Sequence, residues 1–223
     1  MNSNFPKSYN IEHKKKTTQK IGQDMRGVVN YNFNQQGFRS NIDYKENEKN
    51  AIAFFGNLYT SAVGIEWNNG FPQKICDSLN MQCYNFSQGC AGVDNNEIVR
   101  TVRHVVQMEY FKPTFYVVQL CELERRFSQK SMGLRLEMDR EKNIRNFLEV
   151  FAELETLMKE KQWMFFVMDH TLKHNVPSHI INHKRCLCWN PYIIDKILQG
   201  IPGEKWHEMM GYSIARKIKK NAK

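Results

Sequence analysis

Phe54-Phe55-Gly56-Asn57-Leu58-Tyr59-Thr60-Ser61-Ala62-Val63-Gly64-Ile65 joins a buried-type apolar run to a turn marked by two glycines. The run that feeds it, 51–55, is continuously apolar, the pattern of a strand covered on both faces. Working outward, runs of the same kind recur at 82–86, 115–120, 163–168 and 185–189. Helical patterns separate them. Trp67, Phe71, Ile75 and Leu79 recur every fourth residue, and 95–110 carries Ile98, Val99, Val102, Val105 and Val106 before Pro113 stops it. The segment 139–161 puts Ile144, Phe147, Leu148, Phe151, Leu154 and Met158 on one stripe, and 204–220 does the same with Trp206, Met210, Ile214 and Ile218. Strand runs alternating with amphipathic helices predict an α/β protein, a three-layer α/β/α sandwich around a parallel five-stranded sheet.

Upstream, Val29-Asn-Tyr31-Asn-Phe33 alternates as a strand does, and Gly37-Phe38-Arg39-Ser40 reads as a turn. The 223 residues fit one such domain with tails. The expected division is a basic extended arm over 1–27 and a folded domain over 28–223. The net charge of +9 belongs to the ends: 1–26 hold six Lys/Arg against two acids, 216–223 hold five against none, and the remainder is balanced. The arm, with Lys14, Lys15, Lys16, Lys20 and Arg26, lacks apolar periodicity and is expected to order only on a partner. Protein partners in a larger assembly, a second copy of the chain included, are the expectation, with nucleic acid as the alternative acidic partner. There is no apolar segment of the signal-peptide type and no window near the roughly 18 apolar residues of a membrane span, so synthesis and residence in the cytosol are expected, without a membrane.

The six cysteines, Cys76, Cys83, Cys90, Cys121, Cys186 and Cys188, lie mostly inside apolar runs, which argues for reduced buried thiols over a disulfide framework. His170, His174, His179 and His183 step by HxxxH toward Cys186-Leu-Cys188, but Pro177 and Ser178 break the segment into loop, and no metal is expected there. No cofactor is expected either.

In doubly wound sheets ligands lie beyond the carboxyl ends of the strands, at the loops after Phe55, Phe86 and Leu120. The first of these loops resembles the opening block of the SGNH (GDSL-type) hydrolases, where a strand ends in Gly-Asp-Ser and continues Phe/Tyr-Thr-x-Gly-x-Gly-Val. Asn85-Phe-Ser-Gln-Gly89-Cys-Ala-Gly92 is similar to the second block. Gln119-Leu120-Cys121-Glu122-Leu123-Glu124-Arg125-Arg126 takes the place of the third, without the family's Gly-x-Asn-Asp. Leu198-Gln199-Gly200-Ile201-Pro202-Gly203 stands where the family has Asp-x-x-His-Pro-Gly. The resemblance covers roughly 28–220 and implies a flavodoxin-like, SGNH-like sheet order.

It also implies that the catalytic residues are missing. Leu58 occupies the position of the nucleophilic serine, and a leucine side chain cannot attack an acyl carbon. Leu198 and Ile201 stand at the aspartate and histidine. Asn57 replaces the turn-shaping aspartate, Gly89 matches an oxyanion-hole position, the catalytic asparagine has no equivalent, and Asn85 resembles a structural position. His207 falls after the Pro-Gly, outside the triad, and is read as a surface or capping residue. These positions define a vestigial pocket, and three apolar replacements remove the proton path. The alternative is an esterase with a relocated nucleophile, Ser61 or Cys90 paired with His207. Glu122, Glu124, Arg125 and Arg126 are expected to pair among themselves. Tyr31-Asn-Phe33-Asn-Gln-Gln-Gly37-Phe38-Arg39-Ser40 looks like the lead-in common in such proteins, and divergent members with it and an Arg-containing third block resemble proteins of tailed bacteriophages and of marine or aquatic bacteria, which implies a structural component of a virion or similar assembly.

Overall fold

In the computed structural model the described residues are 16–19, 29–45, 48–88, 93–123, 125–128, 133–136, 139–168, 178–189, 196–198 and 201–221. The chain order is β1 (Lys16–Gln19), β2 (Val29–Asn32), β3 (Ala51–Phe55), a 3-10 turn (Trp67–Asn69), α1 (Phe71–Leu79), β4 (Gln82–Asn85), α2 (Asn95–Val106) and β5 (Phe115–Leu120). Then come β6 (Arg125–Ser128), β7 (Gly133–Leu136), α3 (Arg140–Leu157), β8 (Trp163–Val167), α4 (Ser178–Ile181), β9 (Cys186–Trp189), β10 (Lys196–Leu198), β11 (Ile201–Pro202) and α5 (Glu204–Asn221).

The five apolar runs pair as one parallel sheet in the order β4-β3-β5-β8-β9. The expected α/β fold with a parallel five-stranded sheet is thus observed. Side chains alternate across it because the strand period is two. Ala51, Ala53 and Phe55 join one buried cluster with α2 and α3, whereas Ile52 and Phe54 join a second with α1 and α5. Each strand therefore supplies apolar surface to both helical layers, which is why none of the five needs polar alternation.

Element ends follow local chemistry. The Asp94 and Asp139 side chains accept from the amides of Glu97 and Lys142, capping α2 and α3. The predicted continuous helix from Trp67 divides at Gly70, whose backbone is extended, and Pro72 opens α1. A Cβ on Gly70 would stand 2.7 Å from that of Ala62, so the break also lets the 3-10 turn lie against the loop after β3. Helix α1 closes on Asn80 in the left-handed region. Helices α2 and α3 stop short of their expected spans, at Val106 where 110 is expected and at Leu157 where 161 is expected.

Two further pairings lie off the sheet. Strand β1 pairs antiparallel with β2, Lys16 opposite Asn32. Part of the basic arm therefore has a backbone partner within the chain, a difference from the expectation that it orders only on another molecule. Strands β10 and β11 form a short antiparallel ribbon. No helix among the described residues is long and apolar enough to cross a membrane. Cys76, Cys83, Cys121 and Cys186 are buried free thiols, as their apolar setting predicts.

Candidate functional site

Strand order reverses between β3 and β5, the position at which open α/β sheets bind ligands, and the loop after β3 begins there. That loop is a series of tight turns. Asn57 Oδ1 accepts from the Tyr59 amide at 3.1 Å, which is the turn role expected of it. The amides of Ser61, Ala62 and Val63 donate back to the carbonyls of Asn57, Tyr59 and Leu58. Ala62 and Gly64 have φ of 52° and 90°, and the glycine takes this region without a Cβ clash.

Two buried polar residues from outside the loop fix it. Gln119, inside the apolar run of β5, presents Oε1 to the Asn57 amide at 3.0 Å and to the Thr60 hydroxyl at 3.1 Å. The Arg39 guanidinium donates to the carbonyl of Ser61 at 2.9 Å and to those of Ala62 and Ile65. Its charge lies 4.1 Å from the Tyr31 ring centroid, and Tyr31 Oη accepts from the Gly64 amide at 2.8 Å. Burial lowers the Arg39 pKa to about 10, with the Tyr31 and Glu66 charges acting the other way, so it remains a cation at neutral pH. Arg39 and Gln119 were not singled out as site residues, although a lone glutamine between Val118 and Leu120 was the available signal.

The predicted positions fall as follows. Leu58 is partly buried and packs against the cluster that α1 and α5 share. Ser61 is buried, 2.7 Å from the Ser87 hydroxyl, and Ser87 in turn donates to Asn85 Oδ1. Because Ser87 has one proton, Ser61 must donate to it, and the chain ends on an amide rather than a base. Asn85 also donates from Nδ2 to the Arg39 carbonyl at 3.0 Å, the structural role its position suggested.

His207 corrects the surface reading. It is 1% exposed, stacks on Phe71, and accepts from the Phe71 amide through Nδ1 at 3.2 Å. The reason is register: His207 follows Trp206 on the side of α5 that closes over the amino end of α1, and Asn69 holds Glu204 there at 2.8 Å. Burial, and then the Arg39 charge, lower its pKa to about 3. It is a neutral acceptor, and its described bond goes to Phe71 and not to Ser61.

Gly89, Cys90, Glu124, Lys14, Lys15, Lys20 and Arg26 lie outside the described residues. Lys16 is in β1 and Arg125 and Arg126 are in β6, with no side chains described. Leu198 and Ile201 face each other in the β10–β11 ribbon, again with backbone alone described. Of the four histidines, His170 and His174 are outside, while His183 Nε2 is 3.2 Å from Glu155. Among the described residues no group of three or more His, Cys, Asp or Glu could hold a metal.

No protein-family model and no curated protein sequence matches the chain. Solved structures do. The chain is similar to an acetyl xylan esterase from the rumen bacterium Butyrivibrio proteoclasticus, with a TM-score of 0.53 and 13% identity over 80% or more of this chain (81%) and 66% of that one. It is also similar to a putative lipolytic protein of the G-D-S-L family from Desulfitobacterium hafniense, with a TM-score of 0.51, 10% identity, and coverage of 75% and 99%. The chain has the SGNH hydrolase fold. In this fold the loop after β3 carries Leu58 in a frame clamped by Arg39 and Gln119. At these identities the likeness is one of fold alone.

Proposed function

We propose that this SGNH-fold chain is catalytically inactive and works as a structural or assembly protein, docking on partners through its basic termini. The observation that carries the reading is Leu58, at the position that the resemblance gives to the nucleophile and packed against apolar neighbours. The neighbouring hydroxyl gives no substitute, since the Ser61 proton is directed to Ser87 and His207 is spoken for by Phe71. Leu198 and Ile201, matched by sequence to the orienting aspartate and the basic histidine, complete the loss.

A rigid frame without reactive groups suits a protein that presents surface. The cationic side chains of α5 are suited to that role: Arg216, Lys219 and Lys220 are exposed near its end. Together with the Lys14–Lys16 run they would meet an acidic protein surface, in a virion or a comparable assembly, or a second copy of the chain. Nucleic acid is the competing partner, and it predicts affinity that falls steeply with salt.

The deciding experiment is hydrolysis of short-chain p-nitrophenyl esters by the full chain. Turnover at the level of buffer is expected. Turnover that disappears in Ser61→Ala would establish a relocated nucleophile and overturn the reading.

A further inference from the structure

Away from Leu58, Ser61 and His207, a cleft of about 500 Å³ opens between the turn that follows β2 and the segment 66–68. Its volume falls within the roughly 300–1,000 Å³ of small-molecule sites. Three asparagines run along it as a linked set: Asn32 Nδ2 donates to Asn41 Oδ1 at 3.3 Å, and Asn41 Nδ2 donates to Asn68 Oδ1 at 2.7 Å. Each bond leaves groups over. Counting bonds between described residues, Asn32 keeps its carbonyl oxygen, Asn41 a second N–H, and Asn68 both of its N–H groups. All three side chains are on exposed residues.

Two carboxylates and a ring complete the lining. Asp43 is held in place by the amide and the side chain of Gln35, at 2.7 and 2.8 Å. Glu66 also lines the cleft, and Phe33, half-buried and stacked on Tyr31, supplies an apolar wall. Arg39 is buried beneath the loop, with both terminal nitrogens of its guanidinium directed to carbonyls there.

Alternating amide donors and acceptors match vicinal hydroxyls, each of which both donates and accepts. Carboxylates accept from two hydroxyls at once and repel phosphates, sulfates and uronic acids. A ring face suits the C–H side of a pyranose. We propose that this cleft binds a neutral saccharide. The site is separate from the vestigial nucleophile loop, and the inference does not depend on the absence of catalysis.

The test is saturation-transfer NMR on the full chain with xylose, glucose, galactose, N-acetylglucosamine, xylobiose, cellobiose and chitobiose, followed by calorimetry on those that respond. At least one is expected to bind saturably. Asn41→Ala and Asn68→Ala, both exposed substitutions that should leave thermal melting unchanged, should each weaken it by about tenfold, the loss of one hydrogen-bonding group. Leu58→Ser should leave it unchanged, which separates this result from the ester assay. No saturable binding by any of the seven sugars, binding by both asparagine variants unchanged from that of the unsubstituted chain, or tighter binding of glucuronate than of glucose would each overturn the proposal.

Discussion

His207 gives the fold a pH dependence whose size follows from its burial. In the folded chain its pKa is about 3, lowered first by desolvation and then by the Arg39 charge. In the unfolded chain it titrates near 6.5. The folded pKa is the lower one, so between these two values the unfolded state takes up a proton that the folded state refuses. Stability is intact above about pH 7 and falls as the pH drops through 6.5 toward 3. At pH 5 linkage puts the loss from this one group at about 2 kcal/mol, and at pH 3 at about 4 to 5 kcal/mol. The perturbation is His207→Asn, whose Oδ1 can accept from the Phe71 amide in place of Nδ1 without becoming basic. Urea unfolding of both proteins at pH 8, 7, 6 and 5 isolates the effect, since the carboxylates common to both cancel in the difference. The variant should be the less stable at pH 8, through lost packing against Phe71 and Trp206. Its deficit should shrink by about 2 kcal/mol by pH 5. A deficit that stays constant with pH would refute the assignment of His207 as a buried neutral imidazole.

Three more outcomes follow from the clamped loop. Arg39→Met should destabilise the chain by about 3 kcal/mol, read from the urea midpoint, because three buried carbonyls lose their donor, partly offset by removal of a desolvated charge. Gly56→Ala should cost about 2 to 4 kcal/mol, since the new Cβ would sit 2.6 Å from Gln119 Oε1 and still closer to Thr60 Oγ1; an unchanged melting temperature would show that the Gln119 bridge is absent. Leu58→Ser should not create esterase activity in the p-nitrophenyl assay, because no described bond places an imidazole against that loop's hydroxyls.

Much of the fold was legible in the chain because continuous apolar runs and period-four stripes are local signals. Two of the five strands, Ala51–Phe55 and Phe115–Leu120, coincide with their runs, and the others differ by one residue at an end. The misplaced helix boundaries share a cause. Apolar periodicity does not mark where the backbone turns: it ends with α2 at Val106 though Pro113 is the next breaker, runs one residue past Leu157, and bridges Gly70.

The sequence by itself determined that residue 58 cannot be a nucleophile, because that depends only on the chemistry of leucine. It likewise determined the alternation of strands and helices and the concentration of charge at the termini. Tertiary structure decided which polar residues matter around that leucine. Arg39, Ser87 and Gln119 come from three separate stretches, and only tertiary packing brings them to the loop, while His207 meets the amino end of α1. Their roles are set by burial and by which single partner each meets, quantities that depend on through-space neighbours and leave no periodic trace along the chain.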